Sequence, residues 1–358
     1  MKKIDSYIIR KFFKTFFFTI TLILMIVIVF DISEKIDDFL ENELSIQTII
    51  LDYYIYFIPY FGNLFSPLFI FISVVFFTSR MANNTEIIAI LNTGMSFYRL
   101  LFPFVLSAAI LCLGSFFLSS FIIPEANKER IDFERKYLRN NNIPRDKNIH
   151  MQIQEGQYIY VESFNTTKNI GYKFTLENFH NNQLISKLKC DYIKYDTLTN
   201  KWRIHKYKIR VFNKNNETII KGASKDTSIN LLPTDFTKRL DLVETMNHHE
   251  LNKHIAKEEI KGTEQIVYHK IEKHKRIAFP FASIILTIIA VSIASQKIKG
   301  GVGTHIGIGI IIAFSYILFM QISTTFAIKS NLPAAIAVWI PNILYTIIAM
   351  LLTKIRPY

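Results

Sequence analysis

Six long apolar runs decide what this 358-residue chain can become. They cover about 16–30, 53–79, 100–123, 277–296, 304–327 and 334–353. A helix needs about 20 apolar residues to cross a bilayer. In lipid the backbone must satisfy its own hydrogen bonds, so such runs become helices rather than open strands. No Asp, Glu, Lys or Arg falls inside any of the six apolar cores. Ionisable residues within a membrane mark proton and ion relays. Their absence argues against an ion-coupled transporter, so any work must be powered from elsewhere.

Charge orients the helices. Lys2, Lys3, Arg10, Lys11 and Lys14 precede the first run. No small-x-small cleavage site follows it, and the chain continues into Asp31-Ile32-Ser33-Glu34. That pattern reads as a retained signal anchor with a cytoplasmic N-terminus. Residues 31–52 carry seven acidic residues against Lys35, which marks an external loop. The second run contains Pro59 and Pro67 and exceeds one crossing, so tilt or a proline kink must absorb the excess. Lys297-Ile298-Lys299-Gly300-Gly301 is a basic, hence cytoplasmic, turn, and Lys329, Asn331 and Pro333 form an external one. Lys354 and Arg356 end inside. The layout is three helices over 1–123, an external domain over 124–276, and three helices over 277–358. The charge pattern predicts a multi-pass membrane protein with both termini cytoplasmic and the insert external.

The insert is a different kind of sequence. Its 29 Lys and Arg face 20 Asp and Glu, which accounts for most of the chain's net charge of +13. Residues 126–139 and 264–276 read as charged helical stalks. Between about 150 and 235 the period switches to two, as in Gln157-Tyr158-Ile159-Tyr160-Val161-Glu162 and in the alternating stretch 201–212. Asn165, Asn169, Asn181-Asn182 and 213–216 punctuate it. The expectation is an antiparallel sandwich or open roll. Asn247 with Glu250 suggests a helix start, Leu251 and Ile255 share a face, and Gly262 ends it. The basic excess has two readings: a solvated surface, or a basic rim around an apolar interior that holds a phosphorylated lipid. Its insertion between membrane helices removes nucleic acid as a partner. Cys112 lies in an apolar run and Cys190 in the insert, so they are not expected to pair.

Enzyme motifs are missing. Residues 301–307 fit neither a P-loop nor a dinucleotide fingerprint. Gly303 and Gly307, with Gly309, suit close helix packing in lipid instead. His249 and His254 are five apart, one too many for a zinc-binding helix face, so no metal is expected. His305 reads as structural. The chain is expected to be non-catalytic.

Residues 80–99, RMANNTEIIAILNTGMSFYR, lie between the second and third runs. They predict a short helix over about 83–94. Asn83 would cap its start with Glu86 reaching back, Gly94 would end it, and Ile87, Ile90 and Leu91 share one face. Arg80 and Arg99 place it on the cytoplasmic side. Spacing alone leaves two roles open: a helix that receives a push from a soluble partner, or one lying on lipid headgroups.

Several stretches, in order along nearly the whole chain, resemble the LptF/LptG permeases of lipopolysaccharide export. They are Tyr7-Ile8-Ile9-Arg10-Lys11-Phe12, Ser66-Pro67-Leu68-Phe69, Thr85-Glu86-Ile87-Ile88-Ala89 with Gly94-Met95-Ser96, His274-Lys275-Arg276-Ile277-Ala278-Phe279-Pro280, and Trp339-Ile340-Pro341-Asn342. Many members have Ser where this chain has Thr85. The resemblance implies six transmembrane helices with a periplasmic β-jellyroll-like domain between helices 3 and 4. It also implies an ABC transporter permease that takes lipopolysaccharide from the inner membrane and serves outer-membrane biogenesis. The partners implied are a second permease of the same family, a cytoplasmic LptB-like ATPase that holds the ATP and Mg, and a bitopic LptC-like jellyroll protein. Glu86, with Thr85, Ile87, Ile90, Leu91 and Gly94, then forms the ATPase-coupling helix. Family substrate contacts lie on the outer parts of the first and fifth helices, around a lateral gate, and at that end of the first helix Lys35 is the candidate lipid contact. The other readings are a membrane-anchored lipid-binding scaffold with no ATPase, and a lipoprotein ABC permease, against which the six-helix count weighs.

Overall fold

A computed structural model of the chain describes residues 3–138, 147–197, 199–213, 216–236, 240–262, 265–296, 301–330 and 332–355. Six helices are long and apolar enough to cross a membrane: α1 (Lys3–Glu41), α2 (Ile46–Asn83), α4 (Phe97–Leu138), α6 (Ile266–Ala294), α7 (Gly301–Lys329) and α8 (Ala334–Lys354). The short α3 (Glu86–Asn92) joins α2 to α4, and α5 (His248–Lys261) precedes α6. The described residues form two compact units. One contains the membrane helices with residues 241–249. The other contains the strands with residues 250–269.

The apolar runs become helices as expected, but α1 overshoots its run. It continues through Asp31 to Glu41, so much of the expected acidic loop is helix. The reason is local. No Gly or Pro interrupts the segment, Lys35 pairs with Asp31 one turn back at 2.6 Å, and Phe39 gives the extension a buried anchor. Phe39 joins Tyr53, Tyr54, Phe57 and Phe133 in a small core of its own. The larger helical core takes Ile8, Phe12 and Phe16 from α1 and Ile87 from α3. Tyr316, on α7, donates to Asn342 Oδ1 at 2.8 Å, and Asn342 Nδ2 donates to the Ala278 carbonyl at 2.7 Å. Two motifs far apart in sequence, one inside α6 and one inside α8, therefore meet through one buried amide.

Gly309 supplies the close helix approach. A Cβ there would come within 3.2 Å of Phe71 and 3.3 Å of Val75 on α2, whereas at Gly303 or Gly307 it would meet nothing within 4 Å. Within this chain the packing assigned to Gly303 and Gly307 belongs to Gly309. His305 is buried, with Nε2 2.9 Å from the Gln296 carbonyl, and links the ends of α6 and α7. The expected basic turn, Lys297 to Gly300, lies outside the described residues, as do Lys2, Arg139, Glu264, Asn331 and Arg356.

The second unit is built on one antiparallel sheet of seven strands. β1 (Lys147–Gln154) pairs with β2 (Gln157–Asn165), and β2 with both β3 (Ile170–Tyr172) and β4 (Thr175–His180). β3 and β4 share one row between β2 and β5 (Gln183–Asp196). The row breaks at Lys173, φ +53°. β6 (Lys201–Asn213) and β7 (Asn216–Thr227) complete a continuous meander. The asparagines do what their positions suggested. Asn181 and Asn182, both at positive φ, form the two-residue turn from β4 to β5. The predicted alternation in β6 holds through buried Trp202 and Ile204. Lys206, at φ +49°, interrupts it, and residues 207–212 are half-buried whatever their parity. Trp202 is the centre of this core, donating through Nε1 to the Leu231 carbonyl at 2.8 Å. Burial pushes the Cys190 thiol up to about 12, which leaves it an unreactive core residue.

Candidate functional site

The predicted short helix exists, but its start is built differently. Asn83 is the last residue of α2, not a cap. Thr85 stands at the N-cap position at φ +61° and makes no side-chain cap. Glu86 does not turn back to a cap. Its Oε2 accepts from the Tyr7 hydroxyl at 2.9 Å, and its Oε1 accepts from Asn84 Nδ2 at 3.4 Å. Lys11 Nζ donates to the same Tyr7 hydroxyl at 2.8 Å and lies 3.7 Å from the carboxylate. A three-residue clasp thus joins α1 to the first residue of α3. The exit is as expected. Gly94 adopts φ +82°, its N–H bonds the Leu91 carbonyl at 3.0 Å, and nothing crowds it. Ser96 then caps α4 by accepting from the Arg99 N–H at 3.3 Å.

Arg99 does more than mark a side. Its guanidinium makes two bonds to Asp5, at 2.8 and 2.6 Å, and Asp5 is buried. This fork-to-carboxylate geometry is the most directional of charge-assisted bonds. α1 therefore grips both flanks of α3, at Glu86 before it and at Arg99 after it. Sequence reasoning missed Asp5, Tyr7 and Lys11. The available signal was a tyrosine and a lysine four apart on one helix face, with a lone acid among basic residues.

The predicted face of α3 points inward. Ile87 is 1 % exposed, and Ile90 and Leu91 are half-buried against the helical core. The outward stripe is Thr85, Ile88, Ala89 and Asn92, at spacings of three and four. Ile88 is 45 % exposed. Glu86 sits at the edge of this stripe with about a third of its side chain open (32 %).

A second polar cluster forms at the far end of α1. Lys35 Nζ donates to Asp31 Oδ1 at 2.6 Å and to the Tyr53 hydroxyl. The Tyr54 hydroxyl donates to Asp31 Oδ2 at 3.0 Å. Tyr53 also lies 3.5 Å from Glu134, which Arg130 holds at 2.9 Å. Arg130 rests over the Tyr60 ring at 4.6 Å and reaches Glu244 at 3.8 Å. Burial pushes the Glu244 carboxyl above its usual range, and Arg130 opposes the shift. Arg276 donates to the carbonyls of Met246 and Val243 at 2.6 and 2.8 Å, which ties α6 to residues 241–246. Lys35, the candidate lipid contact, thus carries a charge already matched within the chain.

Elsewhere the predicted chemistry takes other forms. His254 does not work with His249. Its ring lies 4.9 Å from that of His269. In the sheet several cations pair across strands: Lys187 with Glu177, Arg203 with Asp226, and Arg210 with Glu217.

The family described as lipopolysaccharide export system permease LptF/LptG matches residues 6–354. No curated protein matches the chain. The match reaches all six membrane helices and the β-bearing insert, so this multi-pass membrane protein belongs to the LptF/LptG family of lipopolysaccharide export permeases.

Proposed function

We propose that the chain is the non-catalytic permease subunit of an ABC transporter that draws lipopolysaccharide from the bacterial inner membrane. A separate LptB-like ATPase in the cytoplasm holds ATP and Mg. A second permease of the family completes the membrane portion, and an LptC-like protein receives the lipid on the periplasmic side, where the β domain lies. Both termini are then cytoplasmic, and α3 meets the ATPase. The division into 1–123, 124–276 and 277–358 separates the two membrane halves from the periplasmic domain.

One observation carries this reading. α3 is held to its own bundle by Ile87 while presenting Thr85, Ile88, Ala89 and Asn92 outward beside the partly open Glu86. A helix lying on lipid headgroups would turn its aliphatic face away from the bundle. Here Ile87, Ile90 and Leu91 face the bundle, and the outward stripe mixes one isoleucine with small and polar side chains, as a protein groove requires. In this reading Ile87, Ile90, Leu91 and Gly94 set the helix in place, and Thr85 and Glu86 meet the partner.

Purification from the native membrane in mild detergent tests it. An ABC ATPase and a second six-helix permease should co-purify with the tagged chain. Glu86→Lys should abolish ATP hydrolysis by the complex while the chain stays folded. Normal hydrolysis and export by Glu86→Lys would remove α3 as the coupling contact. A chain that purifies alone would point to the tethered lipid-binding scaffold.

A further inference from the structure

Three features of α1 set it apart from the other membrane helices. The first is stiffness. Its 39 residues contain no Pro or Gly and span roughly 58 Å at 1.5 Å per residue. By contrast α2 contains Pro59 and Pro67, α4 contains Pro103, and both carry stretches of wide π-type turns (Ile49–Tyr54 and Leu118–Ile122). Proline and π-type turns are where helices bend. The second is attachment. Asp5, Ile8, Phe12 and Phe16 are buried near one end and Phe39 near the other, and no residue from 17 to 38 is buried. The third is that polar clusters sit at both fastened ends. One grips α3 through Tyr7, Lys11 and Asp5. The other places Asp31 and Lys35 against Tyr53.

We infer that α1 is a transmission rod. A displacement of α3 is handed to α1 through the Tyr7–Lys11–Glu86 clasp and the Asp5–Arg99 pair, and arrives at the Asp31–Lys35–Tyr53 cluster at its other end. The covalent neighbours of α3 are α2 and α4, but both contain the elements at which a push is absorbed. The stiff path runs through side chains. Two attachments, one on each flank of α3, convert both translation and tilt of that short helix into motion of α1, whereas a single contact would act as a pivot. Tyr7, Lys11, Asp5 and Arg99 are positioning residues in this role. They act through α1 and touch neither nucleotide nor lipid. The inference rests on the reading that an ATPase docks on α3.

The test uses the complete purified transporter in liposomes loaded with lipopolysaccharide, and reads lipid released per ATP hydrolysed. Tyr7→Phe with Lys11→Met cuts the clasp at partly exposed positions and leaves Glu86 in place. Hydrolysis should persist while the ratio falls about fivefold or more, the low end of a coupling between two sites. A merely structural role would lower release and hydrolysis together, and that result overturns the rod, as does an unchanged ratio. A second variant, Asp5→Cys with Arg99→Cys, should lose the ratio and regain it once a short bifunctional thiol reagent bridges the two positions. Failure of the bridge to restore it also overturns the rod. Glu86→Lys, run in parallel, keeps the two ideas apart. Hydrolysis lost there with an unchanged ratio in Tyr7→Phe/Lys11→Met rejects the rod and keeps the docking site. Normal export by Glu86→Lys rejects the docking site and the rod with it.

Discussion

The two ends of α1 use the same residue types for opposite purposes. At the α3 end the clasp stays partly open, with Lys11 27 % exposed and Glu86 32 %, although Asp5 beneath Arg99 is buried. At the other end Asp31 is 12 % exposed, and Arg130 and Glu134 about a tenth. An open pair gains little from its attraction because water competes for both partners. Such a pair can exchange partners at small cost. A closed pair is different. Each charge has already lost its water, so removing one partner strands the other. The difference teaches where this chain can give way and where it must hold. The Glu86 clasp at the α3 end can give way at small cost. The far end is built to keep α1, α2 and α4 together.

The largest effect should follow from breaking the closed end. Arg130→Met leaves Glu134 and Glu244 without their shared cation and should cost about 3–5 kcal/mol of stability. Thermal unfolding of the purified chain in detergent would measure it. Adding Glu134→Leu should recover much of the loss, because an apolar pair of similar volume can replace a buried ion pair. An Arg130→Met protein as stable as the parent would show that this cluster is not closed, and the contrast between the two ends would go with it.

Next in size is Lys35→Met. It removes one donor from Asp31, but the Tyr54 hydroxyl remains bonded to the other oxygen. The loss should be about 1–2 kcal/mol, read in the same assay. This variant also sharpens the role of Lys35. If its charge serves only Asp31 and Tyr53, lipopolysaccharide binding by the complex is unchanged once stability is matched. If the lysine also meets a lipid phosphate, binding weakens in proportion to the lost cation. The second result would support the lipid contact that the family resemblance implies for it.

How much of this was legible beforehand follows from the range of each interaction. The six membrane helices were plain because hydropathy is summed over about 20 neighbouring residues. The turn at Asn181-Asn182 and the stop at Gly94 were plain because positive φ is a property of one or two residues. The continuation of α1 to Glu41 was hidden, since an acidic stretch reads as a loop until its i,i+4 pair and the burial of Phe39 are known. The start of α3 was misread for a related reason. A capping pair is a local signal, and here Tyr7, 79 residues away, takes the glutamate. The inner and outer faces of α3 could not be told apart, because a seven-residue helix carries aliphatic residues on both. Gly303, Gly307 and Gly309 all read as packing glycines, yet of the three Gly309 meets α2. Spacing defines a stripe on a helix but not which stripe faces a neighbour.

The smallest effect on stability is expected from Lys11→Met, and it bears most directly on the comparison. Lys11 donates to Tyr7 and lies 3.7 Å from Glu86, but both charges remain in contact with solvent. Its removal should change the unfolding free energy by less than about 1 kcal/mol, and salt should reduce even that. The methionine keeps most of the aliphatic stem, so a larger loss would mean that the clasp is as closed as the far end. Stability and transport then respond in opposite order along the helix. On the proposed coupling, Arg130→Met should have the larger effect on stability and Tyr7→Phe with Lys11→Met the larger effect on lipid moved per ATP. A chain in which Lys11→Met unfolded as readily as Arg130→Met would have one kind of cluster at both ends of α1.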